Sequence, residues 1–411
     1  MPAPRPRGRS STPSRGLRIK RSLPIEIDAS GKPPLGMSPA RFLRSYWQKR
    51  PLLVRGAFAR FESPVSPDEL AGLACEPVAS SRLVVHDPRR DRYALEHGPF
   101  EEARFATLPK NGWSLLVQDC DKLLAEVDAI LAHFRFVPDW RVDDVMISYA
   151  TDGGSVGAHV DRYDVFLLQA TGRRRWRIAT SPDAPTAFRD DSELKLLRRF
   201  EPDHDWVLEP GDMLYLPPGI PHHGIAVGEC TTWSIGMRAP SLAEMLVDYA
   251  EYVAERTDDA QRYADPALAP PRDPSRIGDD ALARVMRALR SGYALDRATV
   301  AAWFAGFITR YRSAHAVAPA EQSTSAAGLA RLLARGARLH RSPWSRLATQ
   351  RDGTHTHVVL AGDAYRTSAR LARVLGAAKR YDRSALADAS AADLAALAAM
   401  VDAGHLVIER D

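Results

Sequence analysis

Residues 146–178 read MISYATDGGSVGAHVDRYDVFLLQATGRRRWRI, and residues 208–238 read LEPGDMLYLPPGIPHHGIAVGECTTWSIGMR. Both segments consist of short apolar runs separated by glycines and prolines, which is typical of strands joined by turns. The alternating run at residues 212–216 leads into the sequence PPGIP, which the interior of a helix would not tolerate. The two segments therefore predict an antiparallel β core that is closed into a small barrel.

Three side chains in these segments form a ligand set for a metal ion. His159 and Asp161 are two positions apart, so in a strand they point to the same face. The PPGIP turn holds the residue that follows it rigidly, which favours His222 over its neighbour His223 as the third ligand. Two imidazoles and one carboxylate are the ligands that hold non-haem iron(II) and leave coordination positions open. We predict an iron(II) site formed by His159, Asp161 and His222.

The run RRRWR offers cations for the cosubstrate that an oxidation at such a site requires. If the cosubstrate is 2-oxoglutarate, its distal carboxylate needs a buried cation, for which arginine is the strong solution. Strand alternation places Arg174 on the same face as the bulky Trp176, and the other three arginines on the opposite face. We expect Arg174 to bind the distal carboxylate. A hydroxyl partner is expected at Ser148, with Thr232 and Ser234 as weaker candidates.

Length, charge and cysteine use restrict the class of protein. A chain of 411 residues is too long for one ordinary domain, so two or three are expected. Three widely spaced cysteines argue against a disulfide framework or a zinc knuckle and favour a reducing cytoplasm. No run of about eighteen apolar residues is present, so no membrane span is predicted.

Composition divides the chain into four predicted segments. They are a disordered basic tail at 1–24, a catalytic barrel at 25–240, a helical domain at 241–325, and a winged-helix-like domain at 326–411. The tail is rich in arginine, and its partner is either solvent or ribosomal RNA. Amphipathic helices are predicted at residues 241–256, 280–289 and 299–311. Their apolar stripes favour packing or self-association, and a homodimer is expected.

Arginines recur in the last segment of the chain. They are Arg331, Arg335, Arg338, Arg341 and Arg346. Such arginines either line a surface for an anionic partner or are simply solvated. Composition alone leaves both interpretations open.

Several segments of the chain resemble the bacterial ribosomal oxygenases of the JmjC type. The matching stretches include FLRSYWQKRPLLVRGAF, WSLLVQDCDK and FRFVPDWRVDDVMISYA, in addition to the two segments quoted first. The resemblance covers about residues 35–240. It implies an α+β protein with a double-stranded β-helix core (a cupin or JmjC barrel), followed by a helical dimerisation domain and a winged helix.

The resemblance also implies an activity and assigns roles to residues. It implies a cytoplasmic 2-oxoglutarate-dependent dioxygenase that uses iron(II), 2-oxoglutarate and O2 to hydroxylate an arginine in the sixteenth protein of the large ribosomal subunit. His159, Asp161 and His222 match the iron ligands, and Arg174 and Ser148 match the 2-oxoglutarate contacts.

A guanidinium substrate needs carboxylates at the mouth of the barrel, because it must keep its hydrogen bonds when it leaves water. Asp143 and Asp144 are candidates, with Tyr163 beside them. We predict a helix at 122–134 and a polar segment at 138–144 that precedes a strand at 145–150, so both carboxylates are expected in a loop. Hydrogen bonding within that loop is an equally good explanation for them.

Two alternatives remain open at this stage. The same chemistry could act on a histidine or a lysine of a ribosomal protein, because the motifs do not define the substrate pocket. The second alternative is a regulatory protein in which the cupin barrel binds a structural metal ion and the winged helix binds DNA.

Overall fold

The computed structural model describes residues 23–29, 31–32, 34–270, 273–293, 295–310, 317–353 and 355–410. Residues 1–22 of the predicted basic tail lie outside the described residues. Within the described part, no helix is both long enough and apolar enough to cross a membrane.

The first half of the chain is built mainly from strands. They are β1 (Glu26–Asp28), β2 (Leu52–Arg55), β3 (Ser81–Asp87), β4 (Arg92–His97), β5 (Trp113–Val117), β6 (Val142–Ala150), β7 (His159–Val160), β8 (Val165–Ile178), β9 (His204–Leu208), β10 (Met213–Leu216) and β11 (Pro221–Met237). The helices between them are α1 (Pro39–Ser45), α2 (Pro67–Cys75), α3 (Glu102–Ala106), α4 (Cys120–Leu123) and α5 (Ala125–Asp128).

The described strands of this half join in a single sheet. Its main path runs β1-β2-β10-β8-β11-β6-β5-β3-β4, with β7 added to β11 and β9 added to β8. All pairings are antiparallel except that of β1 with β2. The long strands β8 and β11 pair with each other along both of their halves, which is how two layers of a barrel are connected.

A glycine allows β8 to pass from one half of the barrel to the other. Gly172 has a φ of +60°, and a Cβ at this position would lie 2.0 Å from the carbonyl oxygen of Glu229. Only glycine fits both the backbone conformation and the close approach. The register between β8 and β11 shifts at the same place, between Val227 and Thr232.

Aromatic side chains fill the closed end of the barrel. Phe42 of α1 packs against Tyr46, Phe136, Phe166 and Tyr215, with ring centroids 5.0 to 6.2 Å apart. All of these rings except Phe136 are fully buried. A helix as short as α1 is not stable by itself, so the burial of its apolar side chains stabilises it.

Capping residues begin the helices where the sequence predicts them. Ser38 precedes α1 and accepts a hydrogen bond from the amide of Arg41. Ser66 before α2 forms a capping box with Glu69, which satisfies two backbone donors that a helix leaves free.

The second half of the chain begins with helices. They are α6 (Leu242–Ala254), α7 (Asp279–Gly292) and α8 (Arg297–Thr309). The buried face of α8 packs Trp303 against Tyr249 of α6 at 4.9 Å between ring centroids. In contrast, α7 buries no residue fully.

The chain continues into a mixed unit of small sheets and helices. Its elements are α9 (Ala326–Ala334), β12 (Arg338–Arg341), β13 (Leu347–Asp352), β14 (His355–Leu360), β15 (Asp363–Thr367), α10 (Ala369–Ala377), β16 (Arg380–Tyr381), α11 (Ala391–Asp402) and β17 (Leu406–Glu409). The order β16-β12-β17 forms one sheet, and β13-β14-β15 forms a hairpin-connected second sheet.

Two local predictions are wrong. The helix expected at 122–134 is interrupted, because Leu124 has an extended backbone (φ −130°, ψ 118°) between α4 and α5, and a 3₁₀ turn follows at Ala129–Phe134. The strand expected at 145–150 begins earlier, at Val142. Asp143 and Asp144 are therefore strand residues, and adjacent strand residues face opposite sides.

Candidate metal centre and active-site cavity

Strand pairing brings the three predicted metal ligands together. His222 at the start of β11 is the cross-strand partner of His159 on β7, and Asp161 follows β7 directly. The two imidazole centroids are 4.2 Å apart. A carboxylate oxygen of Asp161 lies 3.5 Å from Nε2 of His222 and 3.9 Å from Nε2 of His159. The three side chains thus offer ligand atoms that all lie within 4.8 Å of one another.

Backbone carbonyls orient both imidazoles. Nδ1 of His159 lies 3.0 Å from the carbonyl oxygen of Gly157, and Nδ1 of His222 lies 2.8 Å from that of Ile220. Each Nδ1–H can therefore donate to a carbonyl, which leaves the lone pair of Nε2 facing the centre of the cluster. Burial, reinforced by the nearby His159, lowers the pKa of His222 to about 4. His222 is therefore neutral, which is the form that binds a metal ion.

His223 points to the other side of β11. Its cross-strand partner is Arg177, whereas the partner of His222 on β8 is Ile178. Nε2 of His223 lies 3.0 Å from the hydroxyl of Ser155. His223 is thus engaged away from the cluster.

Arg174 lies inside the barrel, near the metal cluster. Its side chain lines the same cavity of about 560 Å³ as His159, Asp161 and His222. Only 3% of Arg174 is exposed, and its Nη2 donates to the carbonyl oxygen of Gly224 at 3.3 Å. Its Nε and Nη1 have no hydrogen-bond partner among the described residues. Burial lowers the pKa of Arg174, so an anion that replaced the missing partners would be strongly favoured.

Three hydroxyl groups lie in the same cavity wall. Ser148 on β6 and Thr232 on β11 are direct cross-strand partners, and Ser234 follows on the same face of β11. The hydroxyl of Ser148 donates to the carbonyl oxygen of Thr232 at 3.3 Å, and that of Thr232 donates to Gln169 at 3.2 Å. All three sequence candidates for a hydroxyl partner are therefore near one another.

The donor set of this cavity fits iron(II) and 2-oxoglutarate. Two imidazole nitrogens and one carboxylate oxygen would suit a divalent iron ion. The unpartnered buried nitrogens of Arg174 suit a carboxylate, and nearby hydroxyls can donate to it.

The two candidate substrate carboxylates are not equivalent. Asp144 shares its strand face with Met146 and Ser148, towards the cavity. Its pKa is raised to about 7, mainly because it is removed from water and also because other aspartates lie nearby. Asp143 also borders the cavity, but its carboxylate accepts a hydrogen bond from Arg346 at 2.8 Å. Tyr163 lies in the same wall and is partly exposed.

Two features of the cavity were missed by sequence reasoning. A Cβ at Gly224 would lie 2.6 Å from Nε of Arg174, so this glycine makes room for the guanidinium. The signal was a glycine two residues after His222, in a strand. Arg82 of β3 also lines the cavity, and its Nε has no partner among the described residues. Nothing in the sequence around Arg82 indicated this position.

Comparisons with known proteins agree with this geometry. A JmjC domain model matches residues 129–245, and a ROXA-like winged helix model matches residues 259–407. The chain is 39% identical over 280 residues to the Escherichia coli protein named ribosomal protein uL16 3-hydroxylase, which covers 68% of this chain and 74% of that protein. It is 37% identical over 214 residues to a probable ribosomal oxygenase of Haemophilus influenzae, covering 52% of each chain.

Solved structures extend the likeness to nearly the whole chain. The X-ray structure of Escherichia coli YcfD matches with a TM-score of 0.79 and 34% identity, covering 91% of this chain and 99% of that one. A structure of YcfD in complex with cobalt and 2-oxoglutarate matches with a TM-score of 0.77, 34% identity, and coverage of 92% and 99%.

The barrel and its cluster define an oxygenase of the JmjC class with a cupin-type core. The chain belongs to the family of bacterial JmjC ribosomal oxygenases. The predicted α+β fold, with a JmjC core and a C-terminal winged helix, is confirmed.

Proposed function

We propose that this chain is an iron(II)- and 2-oxoglutarate-dependent hydroxylase of ribosomal protein uL16, and that the side chain it hydroxylates is an arginine. The observation that carries the proposal is the buried Arg174, whose unpartnered nitrogens lie in the same cavity as the clustered His159, Asp161 and His222. The names of the Escherichia coli relatives support the substrate and the cosubstrate.

Each residue has a distinct task in this proposal. His159, Asp161 and His222 hold iron(II), and Arg174 binds the distal carboxylate of 2-oxoglutarate with a hydroxyl from Ser148. When bound, these groups and O2 supply the oxidation, in which 2-oxoglutarate becomes succinate and carbon dioxide and one oxygen atom enters a C–H bond of the substrate. The chain itself supplies orientation, a fixed charge and the cavity that holds the reacting groups.

Asp144 supports a cationic substrate. Its carboxylate lies on the cavity face of β6, four residues before Ser148. A guanidinium that enters the cavity must exchange water for protein acceptors, and a carboxylate is the strongest acceptor available. Tyr163 in the same wall offers a second polar contact. Asp143 is engaged by Arg346 and contributes mainly negative charge.

The direct test is intact mass spectrometry of the large-subunit proteins from cells with and without this gene. We expect uL16 from cells that have the gene to be heavier by the mass of one oxygen atom, located on an arginine. Added oxygen on a histidine or a lysine would replace the arginine assignment and keep the chemistry. An unchanged set of ribosomal proteins, together with salt-sensitive binding of duplex DNA by the purified chain, would favour a cupin regulator instead.

We also propose that the chain forms a homodimer through its helical domain. Large apolar side chains are exposed on α6 and α7: Leu242, Leu246, Val247, Leu282, Val285, Met286 and Leu289. Exposed apolar side chains in such number are typical of an interface. Light scattering after size exclusion tests this, and a monomer at micromolar concentration would contradict it.

Two further expectations concern the location of the protein and a contact of its basic tail. We propose that it acts in the cytoplasm, because its proposed substrate is a ribosomal protein and its three cysteines are free thiols. Contact between the basic tail at 1–24 and ribosomal RNA remains a prediction from charge.

A further inference from the structure

A second cavity lies between the barrel and the winged-helix region. It has a volume of about 320 Å³. One wall comes from α5, the 3₁₀ turn that follows it, and the start of β6. The other wall comes from Arg341 at the end of β12, from the residues that follow it up to Leu347, and from the end of α10. Cavities between domains are common positions for small ligands.

Most of the charges around this cavity are paired across it or beside it. The ion pairs are Lys122 with Asp121, Arg135 with Asp139, Arg346 with Asp143, and Lys379 with Asp128. Each of the four aspartates in the wall is therefore matched by a cation. Two of these pairs, Arg346 with Asp143 and Lys379 with Asp128, join the winged-helix region to the barrel.

A fifth cation in the wall, Arg341, has no such partner. Its side chain forms no hydrogen bond or ion pair with any of the described residues, although only 8% of the residue is exposed. Its backbone amide is bound to the carbonyl oxygen of Lys379, which fixes the end of β12 at the cavity. The guanidinium nitrogens are not fully enclosed and lie at the cavity, where water or an anion must satisfy them.

The remainder of the wall suits an anion that carries an apolar group. Leu131, Val142 and Leu347 contribute apolar side chains. Ser342 and Ser345 contribute buried hydroxyl groups within four residues of Arg341. We propose that this cavity binds a small organic anion, whose carboxylate or phosphate group is held by Arg341 and whose apolar part lies against these side chains. The inference does not depend on the proposed hydroxylase activity.

Arg338 provides a matched control for Arg341. It is on the same strand, three residues earlier, and is exposed. The full-length chain, Arg341→Gln and Arg338→Gln should be titrated by calorimetry with benzoate and with inorganic phosphate. The titrations should be repeated with Arg174→Gln, so that an anion bound near Arg174 is distinguished from one bound near Arg341.

We expect at least one probe to bind the wild-type chain and Arg338→Gln with equal affinity, and Arg341→Gln at least about tenfold more weakly. Lack of binding by both probes, or equal binding to Arg341→Gln, would overturn the proposal. If Arg341→Gln does not fold, crystals of the wild-type chain soaked in bromide decide the question. An anomalous peak at the Arg341 guanidinium supports the site, and peaks only elsewhere refute it.

Discussion

The guanidinium of Arg174 lies directly against the backbone of Gly224 on the neighbouring strand. Nη2 of Arg174 donates to the carbonyl oxygen of Gly224 at 3.3 Å, and a Cβ at position 224 would lie 2.6 Å from Nε. The same Cβ would lie 2.8 Å from the ring of Trp176. The position of the proposed carboxylate-binding group therefore depends on a residue without a side chain.

Substitution of Gly224 by alanine should impair the binding of 2-oxoglutarate. The added methyl group would displace Arg174 or Trp176, since neither contact distance can be tolerated. We expect the KM for 2-oxoglutarate to rise by about tenfold or more. Gly72→Ala is a suitable control, because a Cβ at Gly72 on α2 would have no heavy atom within 4 Å. An unchanged KM in Gly224→Ala would show that the guanidinium position is not limiting.

Replacement of Arg174 by glutamine should increase the stability of the ligand-free protein and abolish its activity. The wild-type guanidinium is buried with two unpartnered nitrogens, so its removal relieves a desolvation penalty in the ligand-free protein. We expect the free energy of unfolding to rise by about 1 kcal/mol or more while 2-oxoglutarate turnover is lost. Thermal unfolding with and without 2-oxoglutarate measures stability and binding, and succinate formation measures turnover. A variant that is less stable and still active would contradict the assignment.

The ionisation of Asp144 should control the use of a cationic substrate. Because its pKa is about 7, the carboxylate is mostly neutral at pH 6 and mostly charged at pH 8. We expect kcat/KM for the uL16 substrate to rise by about tenfold across this interval, and Asp144→Asn to remain low and flat. Turnover of 2-oxoglutarate without substrate serves as the control for other titrating groups. The same rise in that control would remove Asp144 from the explanation.

The same group has a predictable effect on stability. Its pKa in the folded chain lies above the ordinary value of 3.8, so the folded state holds a proton that the unfolded state releases. This stabilisation is complete below the unfolded pKa and is lost as the pH rises through about 7. A shift of about three pKa units corresponds to a loss on the order of 4 kcal/mol in urea unfolding, and this loss should be absent in Asp144→Asn.

Asp143 should matter for stability more than for substrate binding. Arg346 is nearly fully buried and relies on this carboxylate, which is itself about half exposed. Asp143→Asn should lower the free energy of unfolding by about 1–3 kcal/mol, because a buried charge loses its partner. Asp139→Asn, which breaks a pair exposed on both sides, should cost no more than about 1 kcal/mol. Similar losses in the two variants would mean that Arg346 finds another partner.

Periodicity and turn chemistry predicted the parts of the site that depend on a single strand or turn. Alternation alone separated the buried Arg174 from the exposed Arg173 and Arg175. The proline turn indicated His222, and the structure directs His223 to Ser155. In each case the decisive information is local, because a strand has only two faces.

Other features depend on contacts between distant segments and could not be read locally. The extended backbone at Leu124 interrupts a stretch with good helical periodicity. The unequal environments of Asp143 and Asp144 arise from Arg346, about two hundred residues later. The same holds for Arg341, whose burial depends on the joining of two domains. Tertiary packing determines these features, and local propensity does not encode it.

We propose above all that His159, Asp161 and His222 hold the iron of a 2-oxoglutarate oxygenase. The most direct test measures succinate formation with uL16, iron(II) and 2-oxoglutarate for the wild-type chain, Asp161→Ala and His223→Ala. We predict that Asp161→Ala forms no succinate above background, and that His223→Ala, which removes a histidine outside the cluster, retains turnover. Succinate formation by Asp161→Ala at the wild-type rate would show that Asp161 does not hold the iron.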